Sequence, residues 1–175
     1  ANQTSKHLEI NFTELVNGNY NFTAYAQDRA GNINKTEEKE LYVEGASVSY
    51  CKDLTKANTV YTMIKDITHS DWTSGNCINI LAQNITLDCA GYYIDIDANV
   101  VGVYSNQFNT TIKNCDIDMG SGSGGYGIEL NGASNSYIFN NDLSNQYYGV
   151  YLTGSSNNTL VDNIVNNNFQ GIRIL

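Results

Sequence analysis

The chain has 175 residues, 41% of them hydrophobic and 15% charged, with a formal net charge of −9 and no proline. Nine basic residues against eighteen acidic ones cannot neutralise a run of phosphates, which excludes nucleic acid as a partner. No stretch reaches the roughly 18 consecutive apolar residues of a membrane-crossing helix. Stacked strands have no place for a residue without an N–H, and the abundant Asn, Gly, Ser and Thr supply tight turns at strand ends. The composition therefore predicts an all-β chain.

At the N-terminus, Tyr20, Phe22, Ala24 and Ala26 alternate with Asn21, Thr23 and Tyr25, the period of a strand. A turn over 28–32 and a return strand through Leu41 and Val43 complete a hairpin. Asn17-Gly18-Asn19-Tyr20 resembles the tyrosine corner of bacterial and archaeal immunoglobulin-like or fibronectin-like domains, and Asp28-x-Ala-Gly-Asn32 resembles their final hairpin. The resemblance implies that residues 1–46 are the last strands of a sandwich whose other strands lie upstream or come from a neighbour. Asp28 and Asn32 read as turn residues, with a calcium loop as the alternative. The chain opens at Ala1 without Met and stops at Leu175 inside a repeat, so it is expected to be a fragment of a longer protein.

Residues 47–74 contain strand-like runs, 59–64 and 66–68, and Trp72, the only tryptophan. They are expected to cap the unit that follows, with Trp72 covering its open end. From 75 to 175 the chain repeats. Gly149-Val-Tyr-Leu152 returns 22 residues later as Gly171-Ile-Arg-Ile174, and it is preceded at steps of 22, 25 and 25 by Gly127-Ile-Glu-Leu130, Gly102-Val-Tyr-Ser105 and Cys77-Ile-Asn-Ile80. Alternating segments at that period predict a solenoid of short strands. Cys77-Ile-x-Ile80 with Asn84-Ile-Thr-Leu-Asp-Cys-x-Gly-Tyr-x-Ile94 closely resembles the opening coil of right-handed parallel β-helix proteins of the pectate-lyase-like superfamily. The nearer likeness is to the periplasmic and cell-surface set grouped with the nitrous-oxide-reductase maturation protein. The predicted fold is a right-handed parallel β-helix of about four to five coils preceded by a partial β-sandwich. An even number of cysteines, Cys51, Cys77, Cys89 and Cys115, predicts two disulfides and allows three pairings. Cys115 lies one coil beyond Cys89, within disulfide reach at strand spacing, and this favours Cys89 with Cys115 and Cys51 with Cys77.

Aligned coils give four inward columns: Ile78, Val103, Ile128, Val150, Ile172; Ile80, Ser105, Leu130, Leu152, Ile174; Leu87, Ile112, Ile138, Leu160; and Ile94, Ile117, Leu143, Val165. Asn114, Asn140 and Asp162 recur at a bend, where stacked side chains would satisfy turn backbone. The outward column of the first face is Asn79, Tyr104, Glu129, Tyr151 and Arg173. The superfamily resemblance implies that substrate lies on this part of the coil. Hydrolysis there needs two or three clustered carboxylates, and only Glu129 is in the column. A lyase needs a calcium cluster and a base, and Arg173 stands alone, without the Gly-His-Gly companion of the hydrolase motif that its Arg-Ile pair resembles. Tyr104 and Tyr151, two coils or about 10 Å apart, have the spacing to stack on two sugar rings. Ordinary surface tyrosine on a sheet is the other reading.

Asp95, Asp97, Asp116 and Asp118 fall on two adjacent coils, as a solvated acidic patch or, alternatively, a calcium site that relieves their repulsion. Gly120-Ser-Gly-Ser-Gly-Gly125 reads as a surface insert. Sequons at Asn2, Asn11, Asn21, Asn34, Asn84, Asn109 and Asn157 predict a glycosylated exterior protein. The functional expectation is a secreted or cell-surface structural or adhesive protein, non-catalytic, binding a polysaccharide or surface glycan or copies of itself. No cofactor is expected apart from calcium. The alternative is a polysaccharide lyase or glycoside hydrolase whose catalytic coils lie beyond Leu175.

Overall fold

The computed structural model describes residues 18–43, 46–120 and 124–175. The chain divides into two compact units, Ala1–Gly45 and Ala46–Leu175. Asn2 and Asn11 lie outside the described residues.

In the first unit, Gly18–Phe22 pairs antiparallel with Lys39–Val43, and Tyr25–Gln27 pairs antiparallel with Ile33–Lys35. The two ladders form one long hairpin, bridged where Thr36 N donates to Ala24 O (2.9 Å) and Ala24 N donates to Thr36 Oγ1 (3.0 Å). Asp28 shapes its tip. Oδ1 accepts from the N–H groups of Ala30 (2.8 Å) and Asn32 (2.9 Å), and Oδ2 accepts from Asn32 Nδ2 (2.8 Å). The Asn32 side chain and backbone bonds hold the Asp28 carboxyl below its ordinary pKa. Both carboxylate oxygens are thus spent on the turn.

The second unit is a solenoid with three faces. The first face stacks six parallel strands: Lys52–Leu54, Ile78–Ile80, Val101–Ser105, Tyr126–Asn131, Tyr148–Thr153 and Gln170–Ile174. A second six-stranded face runs through Ala46–Val48, Val60–Met63, Thr86–Asp88, Thr111–Lys113, Tyr137–Phe139 and Thr159–Val161. The third contains Ile67–Thr68, Tyr93–Asp95 and Asp116–Asp118 and continues as single bridges through Asp142 and Ile164. Among the described residues, one short 3-10 turn, His69–Asp71, interrupts the strands.

The predicted inward columns are the observed ladders. Ile78, Val103, Ile128, Val150 and Ile172 are direct partners, as are Ile80, Ser105, Leu130, Leu152 and Ile174. Ser105 is buried among the aliphatic side chains and bonds Thr110 Oγ1 at 2.9 Å, so the two hydroxyls satisfy each other. The expected cap, 47–74, is itself wound as a coil that stacks on the one after it. Lys52 pairs with Ile78, Tyr61 with Leu87 and Ile67 with Ile94, while Ala46–Val48 covers the outer edge of the second face. Trp72 packs half-buried against the core, and its Nε1 donates to Gly75 O at 2.8 Å.

Asparagine turns the corners. Asn58, Asn84, Asn109, Asn135 and Asn157 all have φ between 54° and 57°, a left-handed conformation that Asn tolerates better than branched residues. Their side chains also form ladders, with Asn84 Nδ2 donating to Asn58 Oδ1 (2.7 Å) and Asn109 Nδ2 donating to Asn84 Oδ1 (3.0 Å). At the next corner Asn140 Nδ2 donates to Asn114 Oδ1, and Asn114 Nδ2 to Asp88 Oδ1, both at 2.8 Å. The disulfides join adjacent coils: Cys51–Cys77 with Cα atoms 4.4 Å apart and Cys89–Cys115 with Cα atoms 4.8 Å apart.

Candidate functional site

Strand pairing places Asp53, Asn79, Tyr104, Glu129, Tyr151 and Arg173 in one row across the first face. Alternation turns these side chains outward while their neighbours fill the core. At one end of the row, Asn79 Nδ2 donates to Asp53 Oδ1 at 2.8 Å. A second row, Val101, Tyr126, Tyr148 and Gln170, lies three residues earlier on the same strands, with Val101 and Tyr148 buried, and was not recognised in the sequence.

The two rows meet in an aromatic cluster. Ring centroids lie 4.9 Å apart for Tyr126–Tyr148, and 5.3 Å for both Tyr126–Tyr151 and Tyr148–Tyr151. Tyr147 extends it, 4.6 Å from Tyr148 and stacked on Phe169 at 4.7 Å. Arg173 sits over the Tyr148 ring at 5.3 Å, and its Nη1 donates to Gln170 Oε1 at 3.3 Å. Glu129 lies in this group, and partial burial raises its carboxyl pKa against the opposing hydrogen bond from Asn131. Burial also raises the Tyr126 hydroxyl, with further contributions from the charges of Tyr148 and Glu129.

The signal for Tyr126 and Tyr148 was present, because each immediately precedes a repeat glycine, 22 residues apart. The row behind Gly127 and Gly149 is invisible when only the residues after the glycine are aligned. The expected pair Tyr104 and Tyr151 lies two strands apart, as aligned. Glu129 separates Tyr104 from Tyr151, and the tyrosines in ring contact with Tyr151 are Tyr126 and Tyr148.

The four aspartates of the expected calcium site divide between two places. Asp95, Asp97 and Asp118 line an open cleft of about 440 Å³ with Gly120 and Asn145. Asp116 lies in the other row of the third face, bridged to Asp142. Among the described residues, no three His, Cys, Asp or Glu side chains converge as a metal cage. Asp118 Oδ1 accepts from Gly120 N at 2.9 Å, so part of its capacity closes the corner. Burial, followed by the charges of Asp118 and Asp97, raises the Asp95 carboxyl pKa.

A carboxyl with a raised folded pKa weakens the fold while ionised, and the loss is recovered as pH falls through that pKa. Asp95→Asn is therefore expected to raise the thermal midpoint by about 1 to 3 °C at neutral pH. The gain should vanish in acid, where Asp95 is protonated in both states. Melting curves from pH 3 to 8 check the sign.

Of the sequons, Asn21, Asn34, Asn109 and Asn157 are exposed, whereas Asn84 is half-buried. Asn84 and Asn109 use their Nδ2 atoms in the corner ladder, and that nitrogen is the one a glycan would occupy.

Residues 48–175 match the family described as "Right handed beta helix region", which covers the whole solenoid from its first coil. The chain belongs to the right-handed β-helix family. No curated protein and no solved structure matches it. Among the described residues, no helix of this β-helix protein is long and apolar enough to cross a membrane.

Proposed function

We propose that the β-helix is a non-catalytic structural solenoid of an exterior protein, and that its first face binds glycan. The observation behind this reading is the half-buried pair Tyr126 and Tyr151, packed on the buried ring of Tyr148, with Glu129 and Arg173 beside them. Aromatic faces stack on the apolar side of sugar rings while charged groups take hydroxyls. Catalysis fits the site poorly. The strands of the first face contain two carboxylates, Asp53 and Glu129, separated by three strand steps, about 14 Å. Glycoside hydrolysis calls for roughly 5 to 9.5 Å between the acid and its partner.

Two disulfides are typical of oxidising, exterior compartments. The likeness of residues 77–94 to pectate-lyase-like solenoids, and of 17–43 to the end of an immunoglobulin-like domain, supports the same reading, as do the exposed sequons. Assembly with copies of itself belongs to it too, and sedimentation equilibrium over a range of concentrations tests that part.

For the glycan face, affinity electrophoresis against neutral, N-acetylated, amino and uronate polysaccharides is the direct test. At least one class should retard the protein. Tyr151→Ala should weaken that binding about tenfold, the loss of one aromatic anchor, with little change in thermal midpoint. Unaltered retardation of the variant, or cleavage of any polymer, would overturn the reading.

A further inference from the structure

Glu129 differs in its surroundings from the other acids of the solenoid. Its register partners on either side are Tyr104 and Tyr151, and the ring of Tyr126, on its own strand, is packed against Tyr148 and Tyr151. The side chain is half-buried, with Asn131 as its hydrogen-bonding neighbour. The ion pairs among the described residues are Lys39–Glu37, Lys65–Asp71 and Lys113–Asp88, so no cation there neutralises it. Arg173 is two strands away and rests on Tyr148.

A partly desolvated carboxylate among aromatic rings, with no cation beside it, lacks the partner that would offset its burial. An ammonium group supplies that partner, and it is also attracted to the negative faces of the tyrosine rings. The chain's net charge of −9 acts in the same direction at longer range, attracting a cationic polymer and repelling a polyuronate. We infer that the first face recognises a glycan with free amino sugars, the sugar ammonium lying against Glu129 and the sugar ring on the faces of Tyr126 and Tyr151. This rests on the glycan-binding reading above and narrows it to unacetylated hexosamine.

Titration calorimetry of the full chain with four probes tests the inference: a glucosamine hexamer, its N-acetylated counterpart, an oligogalacturonate and an oligolysine of matched charge. The glucosamine hexamer should bind at least about tenfold tighter than the N-acetylated one, the contribution of one charged hydrogen bond. Glu129→Gln, checked for a melting midpoint no lower than that of the wild type, should bring the ratio of those affinities close to one. Equal binding of the two hexamers, a preference for the uronate, or a preference that persists in Glu129→Gln would overturn the inference. Oligolysine binding as tightly as the glucosamine hexamer would overturn it as well, by showing a peptide site. If the N-acetylated hexamer or the uronate alone binds, the glycan reading stands and only this inference falls. If no glycan binds, both fall.

Discussion

Gly149→Ala is expected to destabilise the C-terminal coils by about 3 kcal/mol, at the upper end of the range for overpacking a close contact. A β-carbon at Gly149 would lie 2.6 Å from the carbonyl oxygen of Gly171, 2.8 Å from Asn168 Nδ2 and 3.1 Å from the carbonyl oxygen of Leu143. Two of the three are backbone atoms that cannot swing aside. The same clash recurs one coil earlier, where a β-carbon at Gly127 would meet Gly149 O at 2.6 Å, and again at Gly102, 2.8 Å from Gly127 O. Glycine therefore opens each of these coils because the next strand's carbonyl occupies the place of a side chain. Gly154 provides the contrast. Its φ of +57° resembles that of the corner asparagines and nothing lies within 4 Å of its β-position, so Gly154→Asn should be nearly neutral. Solenoid coils are stabilised by their neighbours, so the Gly149→Ala loss should be local. Amide exchange should accelerate over 148–175 and remain slow in the coils before 101. Uniform acceleration along the chain would show that the contact is not where the strain falls.

The inward ladders were legible in the sequence because strand alternation and a nearly fixed repeat fix which side chains meet, and Ile78 through Ile172 lie as aligned. The coil over 47–74 was not legible because Lys52 occupies the position held by Ile78 in the next coil, and Tyr61 that of Leu87. Lys52 extends its Nζ over the Tyr50 ring at 5.4 Å, so a charged residue fills an apolar column and erases the pattern. The repeat glycines were visible as punctuation. Their reason, a carbonyl from the next coil, lies in the stacking of the coils and leaves no mark in the repeat.

The candidate site was half legible. The row from Asn79 to Arg173 follows from alternation alone. The tyrosine cluster did not, because ring contact depends on two rows leaning together across a strand, and sequence spacing carries no information about that lean. For the acidic face the sequence pointed to adjacency and missed division. Asp116 and Asp118 flank the buried Ile117, so they project into different rows, and four nearby aspartates do not become four ligands.

Replacing Cys89 and Cys115 together by serine is expected to cost about 3 to 4 kcal/mol, the chain entropy released by opening a loop with a sequence separation of 26. Against a typical domain stability of about 5 to 15 kcal/mol, that lowers the thermal midpoint by roughly 10 °C. The position of the bond makes the loss hard to recover elsewhere. Cys89 and Cys115 are buried at 0% and 2% exposure, and the coil that holds Cys115 also places Ser105 where its neighbours have Ile80 and Leu130. That coil therefore buries less apolar surface than those on either side, and the cross-link compensates at the same level of the stack. Burial shields both sulfurs, so reductant under native conditions should act slowly, at the rate of local opening. The Cys51–Cys77 pair closes a loop of the same separation at the first coil, where Cys51 is only half-buried, and should be reduced first. Thiol labelling with time in dithiothreitol distinguishes the two. Simultaneous release of all four thiols would mean that the coils open as one unit. A Cys89→Ser/Cys115→Ser variant melting with the wild type would remove the cross-link from any role in stability.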